Sequence, residues 1–365
     1  MRCPSPPPRD IVLGRRSFFV GSRPSDPGEL VAFPPDPAMS LRIVQYGLGP
    51  IGQACARLAL DHGHQLVGAL DLDPDRVGRD VGEVLGREPV GAEVRDDPAV
   101  LGEWAPDVVL HTTASFLDRI EGQLLACVDA GAHVVSSSEE LFWPFDRDPG
   151  FCERVDRAAA EAGVVVVGTG VNPGFVMDLF PVVLSGVVAR VDRVDVTRSV
   201  DAGRRRGPLQ KKVGAGLTEA AFREREAAGG FGHIGMVESA KALAAGLGWD
   251  GAEVTETFGP HTALSDHETP HATVAAGSVA GIHQTATVRV DGEIRATLTL
   301  TMAVGAPDED RVEIAGDPPL SVVVEGGTFG DTATVAAVVN AARRVGAARP
   351  GLRTMLDLPA AATGR

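Results

Sequence analysis

What this chain lacks narrows its class before any motif is considered. It has no basic excess: 34 Lys and Arg stand against 49 Asp and Glu, a formal charge of -15. A general nucleic-acid surface needs clustered positive charge, so that partner is set aside. Its apolar stretches are short and broken by Gly or Asp, and none approaches the ~18 residues of a membrane span. Cysteine is sparse. Cys3, Cys55, Cys127 and Cys152 form no C-x-x-C pair. They fit small core or surface positions of a reduced, cytoplasmic protein. Periodicity is missing from the first 39 residues, which are rich in Pro, Arg and Ser. Such a segment buries too little apolar surface to offset its ordering entropy. It also lacks the continuous apolar region of a secretory signal. Residues 1–39 are expected to be a disordered extension or a misassigned start, with the functional protein beginning near Met39.

What is present is more specific. A length of 365 residues suggests about two domains at ~150 residues each. Leu41 to Tyr46 is an apolar strand-like run, and Ile51 to Leu60 is helix-like. Between them lies Gly47-Leu48-Gly49-Pro50-Ile51-Gly52. Strand, glycine turn and helix form the context in which G-x-G-x-x-G binds a dinucleotide. Gly47 permits the tight turn, Gly49 lets the pyrophosphate approach the backbone, and Gly52 lets helix and strand pack closely. The helix N-terminus offers free N–H groups to the phosphates. A second apolar run, Gln65 to Leu70, ends at Asp71, near the ~20-residue spacing of the acid that accepts from the ribose hydroxyls. Asp71 favours NAD, because it repels a 2′-phosphate. Arg76 and Arg79 lie just beyond and would serve NADP if Asp71 turned away.

The chain keeps alternating after Asp71. Arg76 to Leu85 is a short helix candidate, Asp107 to Thr112 a buried strand, and Leu117 to Ala130 a helix ended by Gly131. His133 to Ser136 is a strand, Phe151 to Ala162 a helix, and Val164 to Val167 a strand. This pattern predicts an α/β fold: a doubly wound parallel Rossmann domain over residues 40–170. A C-terminal helix within 331–358 completes it. The pattern changes at Gly168 to Gly174, before an apolar helix from Phe175 to Leu184. Long alternating strands follow, two of them joined at Asp291-Gly292, a favoured hairpin turn. Residues 171–330 are therefore expected to form an α+β domain with a mostly antiparallel sheet, for substrate binding and oligomerisation.

From residue 41 onward the chain resembles the 2,4-diaminopentanoate dehydrogenase and native amine dehydrogenase family, which is related in fold to dihydrodipicolinate reductase. The resemblance is carried by Gly47 to Gly52, Asp71 to Pro74, Ser136 to Leu141, Gly170 to Asp178 and Leu209 to Gly214. Gly232 to Ser239, Gly281 to Gln284, Gly326 to Thr332 and Ala348 to Met355 extend it. The Lys-x-Asp-Ala-Pro-Ser-Gly-Thr type segment of the true reductase is missing. The resemblance implies an NAD- or NADP-dependent oxidoreductase acting on CH–NH2 groups. It would deaminate an amine or diamino acid oxidatively, or aminate a carbonyl reductively with ammonia. A homodimer is the implied assembly. Two rival functions remain: a carbonyl or cyclic-imine reductase on the same scaffold, and a nucleotide-binding sensor without turnover.

Such chemistry needs a carboxylate to hold ammonium and move its proton. Glu139 and Glu140 follow a strand end, where α/β ligands bind. The bland alternative makes them first-turn acids of a helix capped by Ser136 to Ser138. One of the pair is expected to be catalytic and the other structural, with a slight preference for Glu140. Asn172 and Pro173 either meet the nicotinamide or merely start a helix. Thr112 either approaches the cofactor or is a routine strand end. Arg204 to Arg206 with Lys211 and Lys212 either bind a substrate carboxylate, Arg206 foremost, or form a solvated loop. His283 and Gln284 either line the cleft or are structural. His267-Glu268-Thr269-Pro270-His271 matches H-E-x-x-H in letters, but Pro270 opposes the helix that zinc ligation requires, and no metal is assigned.

Overall fold

The computed structural model describes residues 40–360 except Gly230, together with 362–363. The expectations for residues 1–39, and Cys3 with them, lie outside the described residues. Strand β1 (Arg42–Tyr46) enters the glycine turn and leads into helix α1 (Pro50–Asp61). Strand β2 (Gln65–Leu70) follows. The next stretch, expected as a helix from Arg76 to Leu85, is helical only over α2 (Val81–Val84). The cause is local. Asp71 and Asp73 each accept the N–H two residues ahead, which holds the segment in turns, and Asp80 caps the short helix through the Gly82 N–H. The alternation resumes with β3 (Val94–Arg95), α3 (Leu101–Trp104), β4 (Val108–His111) and α4 (Leu117–Asp129). It ends with β5 (His133–Ser136), α5 (Pro149–Ala162) and β6 (Val165–Gly168).

Beyond β6 the chain crosses to a second sheet. The apolar helix expected from Phe175 begins later, as α6 (Leu179–Ser185). Asp178 causes the delay: its carboxylate accepts the Gly174 N–H at 2.9 Å and the Leu179 N–H at 2.6 Å. The turn is thereby stitched and the helix starts behind its own cap. Then come β7 (Arg190–Asp201), α7 (Gly207–Lys212), α8 (Glu219–Ala227) and α9 (Met236–Gly246). Strands β8 (Glu253–Thr262), β9 (His267–Glu268), β10 (Thr273–Val274) and β11 (Val279–Val290) follow. The run closes with β12 (Glu293–Ala303), β13 (Glu309–Asp317) and β14 (Leu320–Glu325). Asp291 and Gly292, with φ of +52° and +82°, join β11 to β12. Both angles are positive, as a two-residue type I′ hairpin requires. Helix α10 (Gly330–Ala342) and β15 (Gly351–Arg353) then return to the first sheet.

The first sheet has seven strands in the order β15-β6-β5-β4-β1-β2-β3, all parallel. Its central strands are covered on both faces, which is why their apolar residues run together. Ile43, Cys55, Ala59, Val338 and Val339 pack α1 and α10 on one face. Val109, Ile120, Leu124, Val155 and Val166 pack α4 and α5 on the other. The second sheet runs β14-β13-β7-β12-β11-β8, antiparallel except for the β7–β12 pair. Met236, Ala240 and Leu243 of α9, with apolar residues of α6, cover one of its faces. The architecture is therefore a parallel Rossmann-like sheet joined to a mostly antiparallel one. Among the described residues no helix is long and apolar enough to cross a membrane.

A buried ion pair crosses the second sheet. Arg198 of β7 lies opposite Asp310 of β13, and its guanidinium reaches both carboxylate oxygens at 2.7 and 2.8 Å. The same guanidinium donates to the Thr328 carbonyl, while Asp310 accepts the Thr328 N–H, each at 2.7 Å. The loop that feeds α10 is thus tied to the second sheet. Replacing Asp310 by Asn leaves the arginine charge buried without its counter-ion. The expected loss is about 3 kcal/mol of unfolding free energy in urea; a loss under about 1 kcal/mol would show that the loop is held by other contacts.

Candidate active site

The glycine loop is built by close approach. Gly47 has φ +89°, and a Cβ there would lie 2.8 Å from the Thr112 carbonyl oxygen. A Cβ on Gly52 would lie 1.8 Å from the Gly47 carbonyl oxygen, so no larger residue fits. Gly49 is different: an added Cβ meets nothing within 4 Å, and no side chain caps the start of α1 there. Pro50 occupies the first turn and has no N–H to leave unpaired. With no side chain on Gly49 and no N–H on Pro50, the start of α1 leaves room for an external acceptor. That arrangement fits the diphosphate of a dinucleotide. Leu48 is buried, and its N–H donates to Asp71 Oδ2 at 2.5 Å.

Asp71 is well occupied. Besides the Leu48 bond, its Oδ1 accepts the Asp73 N–H at 2.9 Å, and Arg76 pairs with its Oδ2 at 3.2 Å. Arg76 also pairs with Asp73 at 3.2 Å. The guanidinium is therefore shared between two carboxylates. Arg79 lies 4.0 Å from Glu83 on the surface.

A cleft of about 430 Å³ opens at the carboxyl ends of β4, β5 and β6, facing β7 and β12. Ile51, Thr112, Glu139, Asn172 and Arg206 all lie on its wall. The Thr112 hydroxyl donates to the Gly47 carbonyl at 3.1 Å and accepts from Gln45 at 2.9 Å, which buttresses the loop from below. Pro173 stands behind Asn172 against Gly235, where a Cβ would come within 2.3 Å of its ring. Asn172 does not start α6; Asp178 caps that helix instead. Arg206 is half-exposed and lies 3.3 Å from Asp331.

The two adjacent glutamates face different spaces. Glu139 lines the main cleft, and its carboxylate makes no hydrogen bond or ion pair to any described residue. Glu140 is buried beside a smaller cavity of about 240 Å³. Its Oε2 accepts the Leu117 N–H at 2.9 Å, at the start of α4, and its Oε1 pairs with Arg147 at 3.0 Å. Arg147 also bonds Glu238 of α9 at 2.7 Å. The step from a cleft-facing to a buried side chain follows from the 3₁₀ turn that begins at Glu140.

The structure takes two expected residues away from the cleft. Gln284 is buried, and its amide holds the backbone of His233 by both ends, at 3.3 Å to the N–H and 2.8 Å to the carbonyl. It also donates to Glu256 at 2.7 Å. His283, one residue earlier, points to the opposite, exposed side of the sheet and bonds Thr301 at 3.0 Å. The reason is the two-residue period of a strand: neighbours cannot both face one cleft. His267-Glu268 is a strand paired with β10, so His267 and His271 do not share a helix face.

Lys212 belongs to the basic cluster singled out above, whereas the sequence assigns His233 no role of its own. His233 and Lys212 line the main cleft. The Asn172 amide donates to His233 Nε2 at 3.1 Å. Burial first, then the charges of Lys212 and Arg198, push the His233 imidazole down to about 3, so it is neutral at physiological pH. Ser239 Oγ donates to Asp178 Oδ2 at 2.7 Å and lies 3.4 Å from Asn172 Oδ1. Asp178, Ser239, Asn172 and His233 thus form a connected polar file leading to the cleft. The buried thiols of Cys55 and Cys127 are pushed up to about 12, and that of Cys152 to about 11, by burial. They are inert as nucleophiles.

Comparison with known proteins identifies the family. Residues 175–364 match the family model described as the 2,4-diaminopentanoate dehydrogenase C-terminal domain. The 2,4-diaminopentanoate dehydrogenase of Acetoanaerobium sticklandii is 32% identical over 341 residues, covering 87% of this chain and 93% of its own. This chain belongs to that family. The C-terminal domain matched contributes Arg206, Lys212, His233 and Asp331 to the cleft, whereas the glycine loop, Thr112 and both glutamates precede it. An amine dehydrogenase of Streptomyces virginiae is 30% identical over 155 residues, covering 41% of this chain and 43% of its own. The structure of an amine dehydrogenase from Mycobacterium smegmatis superposes with a TM-score of 0.76 at 27% identity, covering 89% of this chain and 97% of its own.

Asp178 gives the polar file a pH signature. Burial pushes its carboxyl up to about 6, outweighing the Gly174, Leu179 and Ser239 bonds that favour the charge. A raised carboxyl stabilises the folded protein below its unfolded value near 4 and loses that contribution as pH rises through 6. Relative to Asp178→Asn, the wild type is expected to lose on the order of 2–3 kcal/mol between pH 4 and pH 7. Urea titrations of both proteins at several pH values check this; a pH-independent difference would refute it.

Proposed function

We propose that this chain catalyses reversible oxidative deamination at a CH–NH2 carbon, with Glu139 as the carboxylate that handles the proton. Its standing as an NAD(P)-dependent amine dehydrogenase rests on its family membership and on the glycine loop. The assignment within the pair of glutamates rests on one observation: Glu139 faces the cleft with a free carboxylate, while Glu140 is held by Leu117 and Arg147. A bound nicotinamide supplies the hydride acceptor for deamination and the donor for the reverse reaction. Glu139 accepts hydrogen bonds from the substrate ammonium and takes its proton, which frees the nitrogen lone pair. In the other direction it holds ammonia at the carbonyl carbon, whose oxygen leaves as water when the iminium forms, and returns the proton. Glu140 fixes the turn from which Glu139 projects. Thr112 supports the loop, and Asn172 orients His233 on the far wall.

NAD is the proposed cofactor. Asp71 ends β2 beside the glycine loop, where its carboxylate would repel a 2′-phosphate, and Arg76 is already shared between Asp71 and Asp73. The proposed labour divides between residues 40–170 with 331–358, which hold the dinucleotide, and 171–330, which shape the substrate side. The proposed setting is a homodimer in the cytoplasm, with a small amine or carbonyl compound and ammonia as partners.

Two measurements test this reading. NADH oxidation with a panel of carbonyl compounds is expected to require ammonium. Glu139→Gln should lower kcat by about 10²- to 10⁴-fold, a loss typical of a removed acid–base group. Glu140→Gln should act mainly on stability. Oxidation that ignores ammonium would move the chain to carbonyl or cyclic-imine reduction. A deep kcat loss confined to the Glu140 variant would reverse the assignment. For the cofactor, Asp71→Ser is expected to raise the NADPH-to-NADH ratio of kcat/KM by about tenfold or more; an unchanged ratio would show that Asp71 does not select.

A further inference from the structure

Two buried carboxylates meet where the first sheet's domain joins the second. Glu140 belongs to the turn that carries Glu139, and Glu238 lies in the first turn of α9. Their side chains are 9% and 5% exposed. Both reach the same guanidinium. Arg147 Nη1 lies 3.0 Å from Glu140 Oε1, while its Nε and Nη2 donate to Glu238 Oε1 at 3.2 and 2.7 Å. A third carboxylate, Glu256 of β8, lines the same small cavity, and its charge is also felt at Arg147. Among the described residues, Arg147 is the one cation on that cavity's wall. Without it, Glu140 and Glu238 would stand as buried like charges and push the two sides of the junction apart. Those two sides bear the two walls of the main cleft. On one, the Glu140 N–H donates to the Ser115 carbonyl at 3.2 Å and its Oε2 accepts the Leu117 N–H at 2.9 Å. The residue before it, Glu139, is therefore carried by whatever holds Glu140. On the other side, α9 begins three residues after His233.

We infer that Arg147 is a positioning residue of this enzyme: it clamps α9 to the turn of Glu139 and so sets the distance from that carboxylate to the far wall of the cleft. This rests on the reading of Glu139 given above. Arginine suits the task, because its planar fork serves two acceptors from two directions. A second ion pair joins the same loop to the same helix: Lys241 lies 2.9 Å from Asp146. It sits one turn further along α9 and does not involve Glu140. That pair adds adhesion alone, whereas Arg147 also neutralises the carboxylate next to Glu139.

The test follows reductive amination of pentanal and pentan-2-one with NADH and ammonium, on whichever carbonyl wild type aminates faster. Arg147→Met is expected to lower kcat about 30-fold and to leave KM for NADH within about twofold, as for a displaced catalytic group. Arg147→Lys restores the charge and should recover to within about fivefold of wild type. Lys241→Met cuts the neighbouring ion pair and should leave kcat within about twofold. In a Glu139→Gln background, Arg147→Met should cost less than about twofold more, since the group it positions is already gone. A residue that only holds the fold together would lower kcat by the same factor in both backgrounds. If Arg147→Met does not fold, Glu238→Met cuts the clamp at α9 and takes its place with the same expectations. Wild-type kcat in the clamp variant, an equal loss in Lys241→Met, or the full loss repeated on Glu139→Gln overturns the clamp and leaves the role of Glu139 standing. Wild-type kcat in Glu139→Gln, or no turnover of either carbonyl by wild type, overturns the Glu139 reading and the clamp with it.

Discussion

The buried carboxylate of Asp178 is the constraint on which the site depends. It lies at the crossing from the parallel sheet to the second sheet. Its oxygens take the Gly174 N–H, the Leu179 N–H and the Ser239 hydroxyl. One acid therefore closes the turn, starts α6 and fastens α9 to both. Asn172 stands at the head of that turn, and its amide sets His233. Burying an ionisable group with three donors has a free-energy cost, seen in the raised carboxyl, and that cost buys a single geometry for the crossing.

The chain crosses between its sheets in both directions, and the return is held separately. Arg198 and Asp310 tie Thr328, and Arg206 meets Asp331 at the start of α10. Arg205 lies over the Phe329 ring at 3.6 Å. Helix α10 then packs beside α1, whose N-terminus closes the glycine loop, and its Thr334 hydroxyl accepts the Val171 N–H at 3.4 Å, so the two crossings touch. This explains why residues far apart in sequence line one wall: Ile51, Glu139, Lys212 and Asp331 are delivered by four different elements. It also explains the use of arginine at the return. Its planar fork bonds a carboxylate and a carbonyl at once, which fixes direction as well as distance.

Much of the fold was legible because its signals are local. β5 has the bounds expected from its apolar run, and Gly131 and Gly163 end their helices with φ of +74° and +72°. The hairpin at Asp291-Gly292 is similarly dictated by turn chemistry. Helix starts were less legible. Asp80 and Asp178 delay α2 and α6 by accepting backbone N–H groups, a competition that apolar periodicity does not report. Strands β8, β13 and β14 went unseen. Glu309, Arg311 and Glu313 face outward between the buried Asp310, Val312 and Ile314, so charge masks the alternation.

The sequence by itself determined the glycine loop, the acid at the end of β2, the two-sheet architecture and the family. Each is written in contiguous residues or in a short fixed spacing. Tertiary structure decided the rest of the site. It turned the adjacent Glu139 and Glu140 into different spaces, turned His283 outward and set Gln284 against the His233 backbone. It also paired Arg206 with Asp331, 125 positions away. Which charges cancel depends on distances between elements that no local pattern encodes. The chain's residues supply the charges, and only the packing of the second sheet against α10 determines which of them remain for a substrate.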